Sequence, residues 1–274
     1  MSHDPGMYGA QRSLLTLLSG IDRSVITPLL VNPGEGSLGR RAAELGIPVF
    51  VERMVHWIPG TWVLSSRKRR LKHTLSFFWS LNRRCRAIER LIREQGVDLV
   101  YTNTVTCVEG AIAAKRARKP HVWHIRENIR GNSELAPFLP VGVYCAGVAS
   151  LSRAVVFNSR ALAGDYPGLS GMAHVVHNGF SFPAPLDRPA ARAEIIRELG
   201  LDDPSRLVTI VGALHPRKDH LTFLEAASRV SQERKETAYL IVGAGSDRYT
   251  EEVRRRIADL SLGSSVRLLG WRND

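Results

Sequence analysis

Short apolar runs alternate along this chain with stretches whose apolar residues recur at three- and four-residue spacing. The runs lie at 25–31, 48–51, 98–101, 121–125, 154–157 and 174–176, and after a break at 207–211, 238–242 and 266–269. Segments such as LVTIV and YLIV carry no polar alternation, the pattern of strands buried on both faces. Helical spacing fills the gaps, at 12–18, 108–118, 188–199, 221–230 and 251–260. Strands alternating with helices predict an α/β fold with parallel sheets covered by helices.

The alternation breaks at SFPAPLDRP, residues 181–189, where three prolines fall within nine residues. That density reads as a linker. It divides the chain into a first domain at 1–180 and a second at 190–274. Both ends look truncated. The chain opens on a glycine-containing loop, MYGAQRSLLTLL, which would ordinarily follow a strand. The second domain carries three strand patterns and stops soon after VRLLG. The expectation is a piece of a larger protein, lacking a first strand and about half of the second domain.

A length of 274 residues and a hydrophobic fraction of 44% suffice for two packed cores. Three well-separated cysteines, Cys85, Cys107 and Cys145, argue against a disulfide framework and for a reducing compartment. The N-terminus lacks the basic start and apolar stretch of a signal peptide. The longest weakly polar run, 135–151, contains two prolines and is too short to span a bilayer. A cytoplasmic protein is expected.

Charge changes the picture in one place. The formal net charge is +12, and residues 67–93 hold ten Lys/Arg against one acid, Glu89. Read as one helix, this segment places Leu71, Leu75, Phe78, Leu81, Cys85, Ile88 and Ile92 on a stripe that would pack on the domain. Lys72, Trp79, Arg83, Arg86 and Arg90 share a second face. A tryptophan among arginines suits an anionic lipid surface, and HWIPGTW just upstream adds Trp57 and Trp62. The bland alternative is a solvated flank with Trp79 packed on a loop. Nucleic acid is not an expected partner, because the segment carries no recognised binding motif.

Candidate chemistry sits where apolar runs hand over to helices, the place where parallel sheets take ligands. Arg217 and Lys218 follow the run at 207–211; such a pair beside a helix start can clamp a diphosphate, or be a solvated basic turn. Gly243-Ala244-Gly245 lacks the third glycine of a dinucleotide fingerprint and reads as a tight turn with close backbone approach. Gly9 opens a helix whose N–H groups could face an anion. His124 ends the run at 121–125, with Arg126 and Glu127 after it; it could bind or polarise a hydroxyl, or be a structural histidine. Asn103-Thr104 and Asn158-Ser159 follow runs and could line a crevice or cap helices. No second His or Cys stands at metal spacing, so no metal site is expected.

In order, the Gly loop, DLVYTNT, PHVWHIRE, VVFNS, VVHNG, VGALHPRKDHLTFLEAA and AYLIVGAGSD with VRLLG resemble the large retaining glycosyltransferase family four, of GT-B fold. The resemblance covers nearly the whole chain and is most specific over 207–270. It implies two Rossmann-like domains facing across a cleft, the second incomplete here, and a nucleotide-sugar donor with a glycan or lipid-linked acceptor. It implies retention, a role in cell-surface polysaccharide or glycolipid synthesis, and a peripheral position on the inner face of the cytoplasmic membrane. Arg217, Lys218 and Gly9 would hold the donor diphosphate, offsetting the charge of the leaving group without metal or other cofactor. His124 matches the family histidine near the reacting sugar. Asn103, Glu127, Asn158, Ser159, Asn178, Gly179, Gly243 and Gly245 would line the cleft. Three departures stand out: Ala213 replaces an arginine after the strand glycine, Ser181 replaces an aspartate, and the family's paired glutamates do not occur before residue 274. A truncated, non-catalytic relative that binds membranes is the alternative, and a GT-B sugar-nucleotide epimerase is a rival on fold.

Overall fold

The computed structural model describes residues 1–179, 187–201 and 206–272. Ser181 and most of the expected linker lie outside that set. The chain forms two compact units, Met1–Phe182 and Pro183–Asp274.

The first unit runs α1 (Gly9–Ser19), β1 (Leu30–Asn32), α2 (Ser37–Glu44), β2 (Val49–Val51), a 3-10 turn (Thr61–Ser65), α3 (Arg67–Glu94), β3 (Val100–Thr102), α4 (Glu109–Arg116), β4 (His121–Ile125), α5 (Val141–Leu151), β5 (Ala154–Phe157), α6 (Arg160–Gly164), a second 3-10 turn (Pro167–Met172) and β6 (Ala173–Val175). Strands β1 and β2 pair in parallel, and β3-β4-β5-β6 form a parallel sheet in chain order. Main-chain bonds of the first residues link the two: Ser2 N–H donates to Val31 (3.0 Å), and Asn103 N–H donates to the Met1 carbonyl (3.1 Å). Trp123, Ile125, Val155 and Phe157 place the sheet at the centre of the main core, with Tyr144, Tyr166 and Leu169 packed around them. Helix α4 is close to the sheet because its inner positions are alanines, Ala111, Ala113 and Ala114, all fully buried.

The second unit runs α7 (Arg188–Leu199), β7 (Arg206–Val211), a 3-10 turn (Pro216–Lys218), α8 (His220–Glu233), β8 (Thr237–Val242), α9 (Asp247–Asp259) and β9 (Val266–Gly270). Its parallel sheet has the order β7-β8-β9. Asp187 caps α7 by accepting from Ala190 N–H (3.1 Å), so residues 187–189, expected as linker, open a helix.

Three expectations are corrected. The run at 25–31 is a strand only from Leu30, because Asp22 holds a turn through Ser24 N–H (2.9 Å) and Ile26 N–H (2.9 Å) and Pro28 follows, leaving Val25 and Ile26 exposed. The run LVTIV is not buried on both faces. It forms the edge strand β7 and exposes Val208 and Val211, whereas the central β8 buries Tyr239, Leu240 and Ile241. The stripe of α3 is buried only in its second half. Cys85, Ile88 and Ile92 pack inward and Phe77 joins them, but Leu71, Leu75 and Phe78 are 60%, 58% and 68% exposed.

The turn from α3 inward is held by a buried ion pair. Arg84 Nε donates to Glu109 Oε1 at 2.8 Å, and the same oxygen accepts from Val55 N–H at 2.8 Å. Arg84 also donates to the Phe77 carbonyl (3.2 Å) and to Ser80, and lies over the Phe77 ring. These bonds fix the point at which α3 leaves the core.

Candidate functional sites

In the first unit the polar groups gather where β3 and β4 end, as expected for a parallel sheet. Arg126, just past β4, is the hub. Its Nε donates to Asn103 Oδ1 (2.6 Å), its Nη1 to Asn178 Oδ1 (2.8 Å), and its Nη2 lies 3.3 Å from His124 Nδ1. Asn103 Nδ2 donates to the Ala10 carbonyl (3.1 Å) in the first turn of α1, and Ser13 Oγ donates to Asn178 (3.0 Å). The helix opened by Gly9 is therefore tied to the same cluster. A Cβ on Gly9 would meet nothing within 4 Å, so sterics do not demand glycine there. The Tyr101 hydroxyl also bonds His124 Nδ1.

His124 is 5% exposed, and burial together with the neighbouring Arg126 lowers its pKa to about 3. It is neutral at physiological pH. Its buried Nε2 has no partner. An unmade bond at a buried polar atom costs about 1–3 kcal/mol, so this nitrogen is poised to bond a ligand. Burial raises the Tyr101 pKa to about 12, which keeps its hydroxyl protonated.

Several expected lining residues do other work. Both Glu127 oxygens are turned into the β3–α4 loop: Oε1 accepts from Thr104 Oγ1 (2.9 Å) and Oε2 from Val105 N–H (2.9 Å). Ser159 caps α6 by accepting from Leu162 N–H (3.1 Å), and the Asn158 carbonyl bonds His177 (3.1 Å). Gly179 is exposed, and only its neighbour Asn178 reaches the His124 cluster. Trp57 is no surface anchor. Its indole donates to Val105 (2.5 Å) and stacks on Trp123.

In the second unit, β7 ends at Gly212, over which the Lys218 stem lies; a Cβ on Gly212 would sit 3.6–3.7 Å from it. The turn Pro216–Lys218 is fixed from both sides. His215 Nδ1 accepts from Arg217 N–H (3.2 Å), and Asp219, with φ of +54°, accepts from Thr222 N–H (3.4 Å) to start α8. Lys218 and Arg217 are exposed at this strand end.

The two glycines at 243 and 245 are required by that loop. A Cβ on Gly243, which has a φ of +147°, would stand 1.8 Å from the Gly212 carbonyl oxygen. One on Gly245 would stand 2.0 Å from the Leu214 oxygen. The close approach lets Leu214 N–H reach the Ala244 carbonyl (2.9 Å) and Gly212 N–H reach Val242 (2.9 Å). The glycines thus support the cation-bearing loop, as the tight-turn reading expected.

Sequence reasoning missed Tyr101 and gave Arg126 no role. Tyr101 lies inside an apolar run, and only the strand register, which sets it beside Val122 next to His124, reveals the pairing. His220 was also missed. It is fully buried beside Tyr249, with neither ring nitrogen partnered, and burial lowers its pKa. Among the described residues no group of three or more His, Cys, Asp or Glu is placed to hold a metal ion. None of the described helices is long and apolar enough to cross a membrane.

Two α/β units, each built on parallel sheet, match the GT-B class of fold. The chain is similar over 99% of its length to HepE of Anabaena, solved in complex with UDP and glucose (20% identity, TM-score 0.70), and spans 68% of that chain. It is similar over its whole length to a glycosyltransferase from Rickettsia africae (18%, 0.72) and to MurG of Acinetobacter baumannii (14%, 0.51), again spanning 68% of each. Residues 191–274 match the model of the family described as Glycosyl transferases group 1. The matched segment contains the Gly212–Lys218 loop and both supporting glycines. No curated protein matches the sequence.

Proposed function

We propose that this chain is the part of a retaining glycosyltransferase that grips a nucleotide-sugar diphosphate and faces the reacting sugar. The observation that carries this reading is the loop Gly212–Lys218, two cations on a turn braced by Gly243 and Gly245, inside the segment that matches the family. Lys218 and Arg217 would offset the charge that grows on the leaving nucleoside diphosphate, so that transfer proceeds without metal or other cofactor. The first turn of α1, opened by Gly9, would offer N–H groups to a phosphate. The UDP complexes of HepE support a uridine nucleotide as the first donor to try. The test is turnover of UDP-glucose and related donors, with and without EDTA. Loss of activity in EDTA, restored by a divalent metal, would refute the metal-free assignment. Donor affinity unchanged by Lys218→Ala would refute the clamp.

We further propose that the acceptor is a glycan or lipid-linked saccharide met at the inner face of the cytoplasmic membrane, in cell-surface polysaccharide or glycolipid synthesis. The exposed first half of α3 supports this reading. Leu71, Leu75, Phe78 and Trp79, the last 90% exposed, are joined in exposure by Trp62 and Leu64 of the 3-10 turn that precedes the helix. Arg67, Lys68, Arg69, Arg70, Lys72, Arg83, Arg86 and Arg90 are exposed on the same helix. Apolar and aromatic side chains surrounded by Lys and Arg match the interface of an anionic bilayer. Flotation with vesicles containing anionic phosphatidylglycerol, but not with neutral phosphatidylcholine alone, is the expected result; equal binding to both would refute it.

A further inference from the structure

We infer that Arg126 and Tyr101 are positioning residues that hold His124 as the neutral imidazole protonated on Nε2, so that it acts only as a hydrogen-bond donor to a neutral ligand oxygen such as a sugar hydroxyl. Only the identity of that oxygen rests on the glycosyltransferase reading; the state of the ring does not.

The argument starts from Arg126. A guanidinium has N–H donors and no acceptor. Its Nη2 faces His124 Nδ1 at 3.3 Å. A proton on Nδ1 would set two donors against each other, so Nδ1 is the acceptor. The Tyr101 hydroxyl reaches the same nitrogen; its oxygen accepts from Arg126, and its retained proton goes to Nδ1. The remaining proton must then sit on Nε2, the atom that is buried without a partner.

Arg126 cannot turn away from this task. Its Nε is committed to Asn103 and its Nη1 to Asn178. Those partners are themselves held, Asn103 by the Ala10 carbonyl and Asn178 by Ser13. The titratable and charged groups facing His124 are Tyr101 from β3 and Arg126 after β4. Burial lowers the Arg126 pKa, with Tyr101 and Glu127 opposing, and Glu127 spends its oxygens on Thr104 and Val105. Among the described residues no carboxylate bonds His124, so nothing nearby favours an imidazolium, and burial opposes one. A histidine so placed cannot take a proton from an acceptor hydroxyl near neutral pH. It can only donate, with its direction fixed in advance.

The test is long-range proton–nitrogen NMR of the histidine rings in labelled protein, with the His124 signals assigned by their loss in His124→Gln. The expected result is an unprotonated Nδ1, a protonated Nε2 and no titration between pH 8 and 5. Protonation on Nδ1, or a His124 pKa above 5.5, overturns the inference. In Arg126→Met the ring is expected to populate both tautomers and its pKa to rise; an unchanged spectrum overturns the role of Arg126. Should that variant fail to fold, Tyr101→Phe removes a single hydroxyl, and a smaller shift in the same direction is expected. A histidine that merely fills space would show neither change. Kinetics supply the second arm. His124→Gln, which can still donate, should retain at least tenfold more turnover than His124→Leu. An acid limb of kcat/KM between pH 5.5 and 8 that disappears in His124→Gln would identify a base and overturn the inference. Absence of any transfer in the unaltered protein strikes the proposed function and leaves the ring state to be decided by NMR.

Discussion

Replacing Gly243 with alanine should dismantle the cation-bearing loop of the second unit without unfolding the sheet. The added Cβ would stand 1.8 Å from the Gly212 carbonyl oxygen, where side-chain carbons do not come closer than 3.0 Å. Neither partner is a movable side chain, so the backbones must separate by more than an ångström. The φ of +147° adds strain of about 1–3 kcal/mol for a residue with a Cβ. Separation threatens three main-chain bonds: Gly212 N–H to Val242 (2.9 Å), Leu214 N–H to Ala244 (2.9 Å) and Gly243 N–H to Gly270 (2.7 Å). At about 1 kcal/mol each, these bring the local cost to about 4–6 kcal/mol. The assay is amide hydrogen exchange at Gly212, Leu214 and Gly243, where protection should fall by at least about a hundredfold. UDP titrated into the variant should bind more weakly than to the unaltered protein. The control is Gly263→Ala, whose Cβ would meet nothing within 4 Å and whose exchange should not change. If Gly243→Ala keeps exchange within a factor of three, the close approach does not constrain the loop and the reasoning fails.

Other perturbations follow from the same structure. Glu109→Ala leaves Arg84 buried and unpaired and Val55 N–H unmet; it should cost about 3–5 kcal/mol in urea unfolding of the first unit, and a cost below 1 kcal/mol would refute the pair's role. Lys218→Ala should raise the UDP Kd about tenfold or more, as expected for loss of a charge-assisted bond to phosphate. Trp79→Ala with Phe78→Ser should abolish vesicle flotation while leaving the melting temperature within about 2 °C, since both side chains are exposed. Acid should destabilise the first unit. His56, His121 and His124 have folded pKa values lowered to about 4, 3 and 3, mainly by burial, against 6.5 unfolded. Between those values the unfolded chain binds more protons, so stability is complete above pH 6.5 and falls as pH drops, by up to about 1.4 kcal/mol per pH unit for each group. A flat unfolding free energy from pH 7 to 5 would contradict this.

The strand-helix alternation was readable because parallel strands leave uninterrupted apolar runs, and β4 and β5 have the bounds their residues suggest. What could not be read was which runs lie at an edge. LVTIV and YLIV look equivalent in sequence, yet β7 exposes Val208 and Val211 while β8 is enclosed, because sheet order decides burial and composition does not. Helix α3 was legible in length and misread in packing. A stripe at helical spacing reports amphipathicity, but not where along its length the helix leaves the core. That point is set by Arg84, whose partner Glu109 lies 25 residues away. As candidates, His124 could be singled out near the end of a run, and Lys218 in the loop between a run and the next helix. Tyr101 could not be given a role, because its bond to His124 arises only from strand register.

On the proposed function, the two units hold their ligands in opposite ways. In the second, the charged groups Arg217 and Lys218 are exposed on a rigid turn, which suits a strongly solvated polyanion that must be met by charge and then released. In the first, the guanidinium of Arg126 bonds Asn103 and Asn178 and faces His124, and the atom proposed to meet the ligand is the buried Nε2 of a neutral ring. A neutral donor whose direction is fixed discriminates among hydroxyl positions better than a charge does, because a misplaced acceptor leaves a buried N–H unmet. If this division holds, exchanging charge at 218 should change affinity for any nucleoside diphosphate alike. Altering Tyr101 or Arg126 should instead change the preference among sugars of one nucleotide. A Tyr101→Phe variant that lost affinity for UDP itself, with sugar preference intact, would refute the division.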